Sequence, residues 1–230
     1  MAKQLQLLSP LGTLWLLLRH EVEQEWRQKA TVGGLLLYAA GAVFICFASI
    51  GMQVGILKGP IWNSLIWIIL LFTSLTAIGR SFGNANRGTQ LYYYTMVPAS
   101  TFLVAKMLYN SLMTSALGLL SLLLFSVMIG NPVANHLNYI LTVILGSVSL
   151  SGTLTLIAGI VSKASASSTL MPVLSFPLVL PQLLLLIKLS KHALDGLETD
   201  FAAQGLWPVL GLMGLVVALS YSLFPYIWRS

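Results

Sequence analysis

Charge is scarce in this 230-residue sequence. Asp, Glu, Lys and Arg together make up 8% of it, against about a quarter in soluble domains. Apolar residues make up 57% and mean hydropathy is +0.87, which excludes a soluble globular domain and points to an integral membrane protein. Cysteine is nearly missing: Cys46 stands alone, so an intramolecular disulfide, a CxxC redox pair and a cysteine-based metal site are all excluded. It reads as a small buried hydrophobe. There is no GxxxxGK[ST] phosphate loop. The nearest glycine cluster, GMQVGILKG at residues 51–59, lacks the terminal Ser or Thr, so any ATP hydrolysis belongs to another chain.

Acidic residues number six, and all fall in the N-terminal segment or in a polar stretch at 188–205. A proton- or sodium-coupled carrier needs an ionisable group at membrane depth, and a hydrolase of Ser/His/Asp type needs its groups on one side of the membrane. Neither pattern is present, and the chain reads as a non-catalytic subunit. The net charge of +6 comes from basic residues scattered singly between apolar runs, without the stripe and interleaved aromatics of a nucleic-acid binder. Their role is topological.

What is present is apolar length. A span takes about 20 apolar residues, and six such segments stand at 33–57, 61–79, 99–130, 137–161, 168–187 and 206–228, in one polytopic domain over residues 1–230. The third exceeds one perpendicular span, so its beginning near Lys106 protrudes or tilts. Residues 1–32 read as a surface helix, because Glu21, Glu23 and Glu25 stand where a signal peptide would be cleaved. Ser9-Pro10 supplies a helix start, and Leu11, Leu14, Trp15, Leu18, Val22 and Trp26 recur at helical spacing with Arg19, His20, Glu21, Glu23 and Arg27 mostly opposite. Two readings are open: an amphipathic helix in the membrane interface, or a helix covering the end of the bundle.

With the N-terminus inside, nine Lys and Arg (Lys3, Arg19, Arg27, Lys29, Arg80, Arg87, Lys106, Lys163, Arg229) flank the inner side, against Lys58, Lys188 and Lys191 outside. That count predicts both termini in the cytoplasm. The fifth segment carries Pro172, Pro177 and Pro181, which predicts a broken or kinked span buried against its neighbours. His136 and His192 fall at the outer face and read as solvated loop histidines rather than haem ligands. The stretch 80–98 is the longest polar interruption between two strongly apolar segments. It holds Arg80, Phe82, Arg87, the run Tyr92, Tyr93, Tyr94, and Pro98, a mixture suited to a short helix docking in a partner's groove. An interfacial loop with an aromatic belt fits equally well.

At these residues the chain resembles a known family. Arg80-x-Phe82, Gly88, Val97-Pro98 and Ala105-Lys106 resemble the link between spans two and three of the CcmB family, the permease subunits of the cytochrome c maturation system, also called haem exporter protein B. LMPVLSFPLVLPQLLLLI at 170–187 resembles that family's fifth span, and EWRQKATVGGLLLY at 25–38 its entry into span one. Where family members carry acids in the 80–98 stretch, this chain has Asn84, Asn86 and Gln90.

The resemblance implies an all-α, ABC-2-type exporter permease of the bacterial inner membrane that works as a homodimer or pseudo-dimer. A cytoplasmic CcmA-like ATPase would bind ATP and dock on 80–98 as on a coupling helix. A CcmC-like haem-handling protein, a CcmD-like small subunit and a CcmE-like haem chaperone would be partners, with haem as the substrate of the complex and no cofactor bound by this chain. An ABC-2 permease for a lipid, glycan or drug has the same architecture. A non-transporting membrane scaffold is the third reading, and would leave ATPase turnover unchanged.

Overall fold

The structure, a computed structural model, describes residues 10–27, 29–50, 59–83, 99–163, 170–196 and 205–229. Among them are seven α-helices and no strand: α1 (Pro10–Arg27), α2 (Lys29–Ile50), α3 (Gly59–Gly83), α4 (Ala99–Ile129), α5 (His136–Lys163), α6 (Leu170–Asp195) and α7 (Trp207–Arg229). Helices α2 to α6 are each long and apolar enough to cross a membrane, and α7 carries the shorter described apolar stretch Trp207–Leu223. The core lies around α3 and α5, of whose spanning stretches 61% and 67% are buried, against 17% for α2. Helix α5 packs along α4 on one side and α6 on the other.

Several helices outrun the segments read from hydropathy. Helix α3 continues through Gly83, so Arg80 and Phe82 stand on its last turns rather than in a loop. Helix α6 runs on to Asp195 and takes in KLSKHALD, expected as outer loop. That stretch has neither Gly nor Pro to stop it, and the helix ends at Gly196, whose φ of 74° is the left-handed cap that glycine adopts freely. Gly130, at φ 97°, ends α4 the same way, its amide donating to Ser126 O at 3.1 Å. Asn135 caps the start of α5 by accepting from the Asn138 amide at 3.1 Å.

Of the broken or kinked span expected in the fifth segment, the break is absent. Helix α6 is unbroken through Pro177 and Pro181. It turns Met171, Ser175, Val179, Gln182, Leu183 and Leu186 inward, while Pro172, Pro177 and Pro181 are exposed on the other side. The carbonyls that Pro177 and Pro181 cannot bond therefore belong to the outward wall of the bundle, the reverse of the buried, broken segment that the sequence suggests.

Polar side chains inside the bundle tie helix to helix. Trp62 stands edge-on to Phe125 and Tyr139, with ring centroids 5.4 and 5.6 Å away, and its Nε1 donates to Gly130 O at 2.9 Å. Tyr139 Oη donates to Asn63 Oδ1 at 2.8 Å, and Asn63 Nδ2 donates to Ile187 O at 3.2 Å. One asparagine thus joins α3, α5 and α6. Nearby, Trp67 Nε1 donates to Ser190 Oγ at 2.8 Å. The 130–135 turn is stapled to the end of α6, where the Ala134 and Asn135 amides reach Leu194 O and Ala193 O at 3.2 and 3.1 Å, carbonyls that a helix end leaves unpaired.

At mid-depth, Asn110 Nδ2 donates to Thr155 Oγ1 at 2.9 Å and the Ser111 hydroxyl meets that of Ser151 at 3.2 Å, joining α4 to α5. Gln182 joins α6 to α5 by accepting from Thr153 Oγ1 at 3.0 Å and donating to Ser149 Oγ. No buried side-chain nitrogen or oxygen among the described residues lacks a partner.

Gly146 makes the α3–α5 approach possible. A Cβ there would stand 2.4 Å from Trp67 Cη2, 2.6 Å from Cζ3 and 3.1 Å from a Leu186 methyl. The indole is held by Ser190 and cannot retreat freely. Gly146→Ala is expected to cost about 1–3 kcal/mol through overpacking, read as a lower midpoint of thermal unfolding in detergent. Asn63→Leu strips the partner of the buried Tyr139 hydroxyl and is expected to cost about 1–3 kcal/mol, whereas Asn63→Leu with Tyr139→Phe recovers part of the loss.

Candidate functional site: the Lys106 junction

The ends of α1, α3 and α4 meet on both flanks of residues 84–98. Arg80 and Phe82 bring α3 to the start of that stretch, and α4 leaves it at Ala99. Of the residues singled out in the sequence, Arg80 and Phe82 are thus placed, while Arg87, Tyr92, Tyr93, Tyr94 and Pro98 lie outside the described residues.

Arg80 and Phe82 point to different neighbours. The Arg80 guanidinium passes over Gly34 of α2, where a built Cβ would stand 3.3 Å from Nη1. The Phe82 ring is half-buried and lies under the Lys106 ammonium, 5.5 Å from nitrogen to ring centroid. That is within the range of a cation–π contact.

Lys106 is the centre of the junction, and hydropathy alone does not reveal it. Two turns into α4, it is only 6% exposed. Its Nζ donates to Glu21 Oε2 of α1 at 2.7 Å, and to Ser81 O and Ser81 Oγ of α3, both at 3.3 Å. With the Phe82 ring beneath it, all three ammonium donors have acceptors and the charge has a face to rest on. Glu21 is enclosed too, its side chain 13% exposed. The sequence reading that set Glu21 with the polar face of α1 is corrected by this contact: Glu21 stands seven positions after Leu14 and three after Leu18, on the same side of the helix as those leucines, and there it meets the Lys106 ammonium of α4. The signal available beforehand was the lysine itself, a charge inside an apolar run of 31 residues, which is costly unless paired.

Helix α1 also packs along α4, with Leu17 against Ala105 and Leu18 and Phe102 around them. Trp15 is 67% exposed and Val22 faces outward. The Arg19–Glu23 pair at 2.7 Å is exposed at both ends and adds little. The buried Glu21–Lys106 pair adds a charged link to that packing. At the far end of the bundle, a groove of about 290 Å³ runs between α4 and α5, walled by Leu119, Leu122, Leu123 and Ile140 with Ser126, Asn131 and His136 along it. His136 is exposed at the start of α5, and His192 stands in the last turn of α6.

Five long apolar helices, with polar side chains spent on helix–helix bonds, make this a multi-pass helical membrane protein. The model of the family described as CcmB protein matches residues 12–225, and the chain belongs to that family, the membrane permeases of cytochrome c maturation. No curated protein and no solved structure matches it.

Because only the far end of the Arg80 side chain meets position 34, Gly34→Ala is expected to leave the unfolding midpoint within about 0.5 kcal/mol of the parent. Gly34→Phe would push the guanidinium off α2, and its effect should vanish in an Arg80→Ala background.

Proposed function

We propose that this chain is the six-span permease subunit of a cytochrome c maturation complex in the bacterial inner membrane, with both termini cytoplasmic and α7 as the sixth span. The nine-to-three excess of Lys and Arg supports that orientation. It puts the Lys106 junction at the cytoplasmic end and the groove beside His136 at the outer end.

In this reading a CcmA-like ATPase docks on residues 80–98, with Arg80 and Phe82 at the root of the docking segment and Arg87, Tyr92, Tyr93, Tyr94 and Pro98 within it. The observation that carries the reading is the junction itself. Both helices that flank the segment are cross-linked at Lys106 to each other and to α1, so a push on the segment moves a braced unit instead of a slack loop. The chain holds no phosphate loop, so ATP is bound and hydrolysed by the partner. Closure of two ATPase subunits on a homodimer or pseudo-dimer then becomes a rearrangement of α3 and α4. That movement serves haem delivery, or release of a CcmE-like haem-loaded chaperone at the outer face, beside CcmC-like and CcmD-like subunits. Haem is a substrate of the complex and not a resident cofactor of this chain.

Alanine at Arg80, Tyr92, Tyr93 and Tyr94 together is expected to lower recovery of the ATPase on the tagged permease by about tenfold or more, the scale of losing central Arg and Tyr anchors. Affinity purification from the native membrane in mild detergent, with mass spectrometry of the co-purifying chains, reads this out. Undiminished recovery would remove 80–98 as the docking segment.

A further inference from the structure

We propose that the outward face of α6 seats α7 of a second copy of this chain, and that the Tyr221 hydroxyl of that copy donates to the backbone carbonyls which the α6 prolines leave unbonded. This deepens the homodimer of the reading above and does not depend on where an ATPase docks.

Pro177 and Pro181 carry no N–H, so the carbonyls of Val173 and Pro177 find no amide one turn further along the helix. Both lie within the apolar run 170–187, where lipid supplies no donor, and proline is tolerated in a membrane helix because a neighbouring helix or side chain satisfies the freed group. Val173 and Pro177 are exposed. Between Pro172 and Pro181 the buried residues are Ser175 and Val179, so the first half of α6 meets its own bundle along one narrow stripe and is open on its other sides. The donor has to come from outside the chain.

A second copy carries one at the right level. Helix α7 begins beside the end of α6, where a Cβ on Gly205 would stand 2.4 Å from a Leu189 methyl, and it runs back from there. Both helices rise about 1.5 Å per residue, so Tyr221 comes level with Val173, Ala218 with Phe176 and Gly214 with Leu180. Tyr221 is exposed, as are Gly211, Gly214, Ala218 and Ser222, on the side of α7 away from the buried Val209, Val216 and Ser220. Small residues at that spacing let a second helix come close, and the tyrosine beside them brings an O–H to the carbonyls.

Symmetry selects the pairing. Two copies inserted the same way round are related by an axis along the membrane normal, which keeps every residue at its own depth and sets α6 of each copy opposite α7 of the other. Pairing α6 with α6 would leave the carbonyls unanswered, because the side chains of Val173, Phe176, Pro177, Leu180, Pro181 and Leu184 hold no hydrogen-bond donor.

The test uses the full chain. Two differently tagged copies with Cys46→Ser as background are co-expressed, one carrying Leu180→Cys and the other Gly214→Cys, and oxidised in the native membrane. A disulfide between the two tags is expected, and none when Leu37→Cys, on the exposed side of α2, replaces Gly214→Cys. In liposomes, Förster transfer between copies fused to donor and acceptor fluorophores, titrated against lipid, gives the strength of self-association. Gly214→Leu should abolish it and leave the monomer folded, since nothing in the chain lies within 4 Å of a Cβ there. Tyr221→Phe should weaken it about three- to tenfold, the scale of a hydrogen bond between membrane helices. Pro177→Ala with Pro181→Ala returns an amide to both carbonyls, and in that background Tyr221→Phe should have no further effect, which a ring that only packs would not show.

A missing link between Leu180→Cys and Gly214→Cys, a link to Leu37→Cys in its place, or an equal effect of Tyr221→Phe with and without the prolines overturns the proposal. Self-association that survives Gly214→Leu does the same and assigns the second copy to another face. Capture of a different membrane protein by Leu180→Cys, with no link between copies, makes that protein the occupant and also overturns it. Recovery of an ATPase is a separate measurement, so the docking reading stands or falls apart from these results.

Discussion

Hydrocarbon offers no partner to a hydrogen-bonding group, and this constraint shapes the protein at every scale. At the level of the backbone it leaves only helices among the described spans. At the level of side chains it turns each buried Asn, Gln, Ser, Thr, Tyr and Trp into a link between helices or back onto its own. Asn63 is the fullest example: its amide accepts from Tyr139 and donates to the Ile187 carbonyl, so three helices share one side chain. The same constraint makes the buried Lys106 conspicuous, since its charge is answered by a carboxylate, a hydroxyl, a carbonyl and an aromatic face together.

The two ends of the bundle are built differently. Around Trp62, Asn63, Trp67 and Tyr139, neutral hydrogen bonds and edge-on aromatic contacts bind α3, the α4–α5 turn and the end of α6. Gly146 lets Trp67 press against α5 there. Around Lys106 an ion pair to Glu21 and two hydrogen bonds to Ser81 join α4 to α1 and α3.

The prolines of α6 and the Gly83–Ala99 link show where local chemistry misleads. Proline predicts a break, and in an aqueous helix the lost hydrogen bonds would favour one. In α6 any other backbone conformation in an apolar medium would leave more groups unpaired, so the helix continues and the prolines take the outward face. Likewise, charge and polarity placed Arg80 beyond the end of the second span, but a helix gains another bond with each residue it adds, and α3 keeps Arg80 and Phe82 on its last turns.

Composition by itself determined that this chain belongs in a membrane, that its spans are helical and roughly where five of them lie. Those properties depend on sums over 20 residues, and sums survive local uncertainty. The quoted fragments at 25–38, 80–106 and 170–187 were enough to suggest the family. What tertiary structure alone decided is pairing: that Glu21 meets Lys106, that Asn63 meets Tyr139, that Arg80 lies over Gly34, that Gly146 is required by Trp67. Each joins residues tens of positions apart, and its energy is that of a close contact, falling away within a few ångströms. No periodicity along the chain encodes which of several carboxylates a lone lysine will find, because that depends on how three helix ends come together in space.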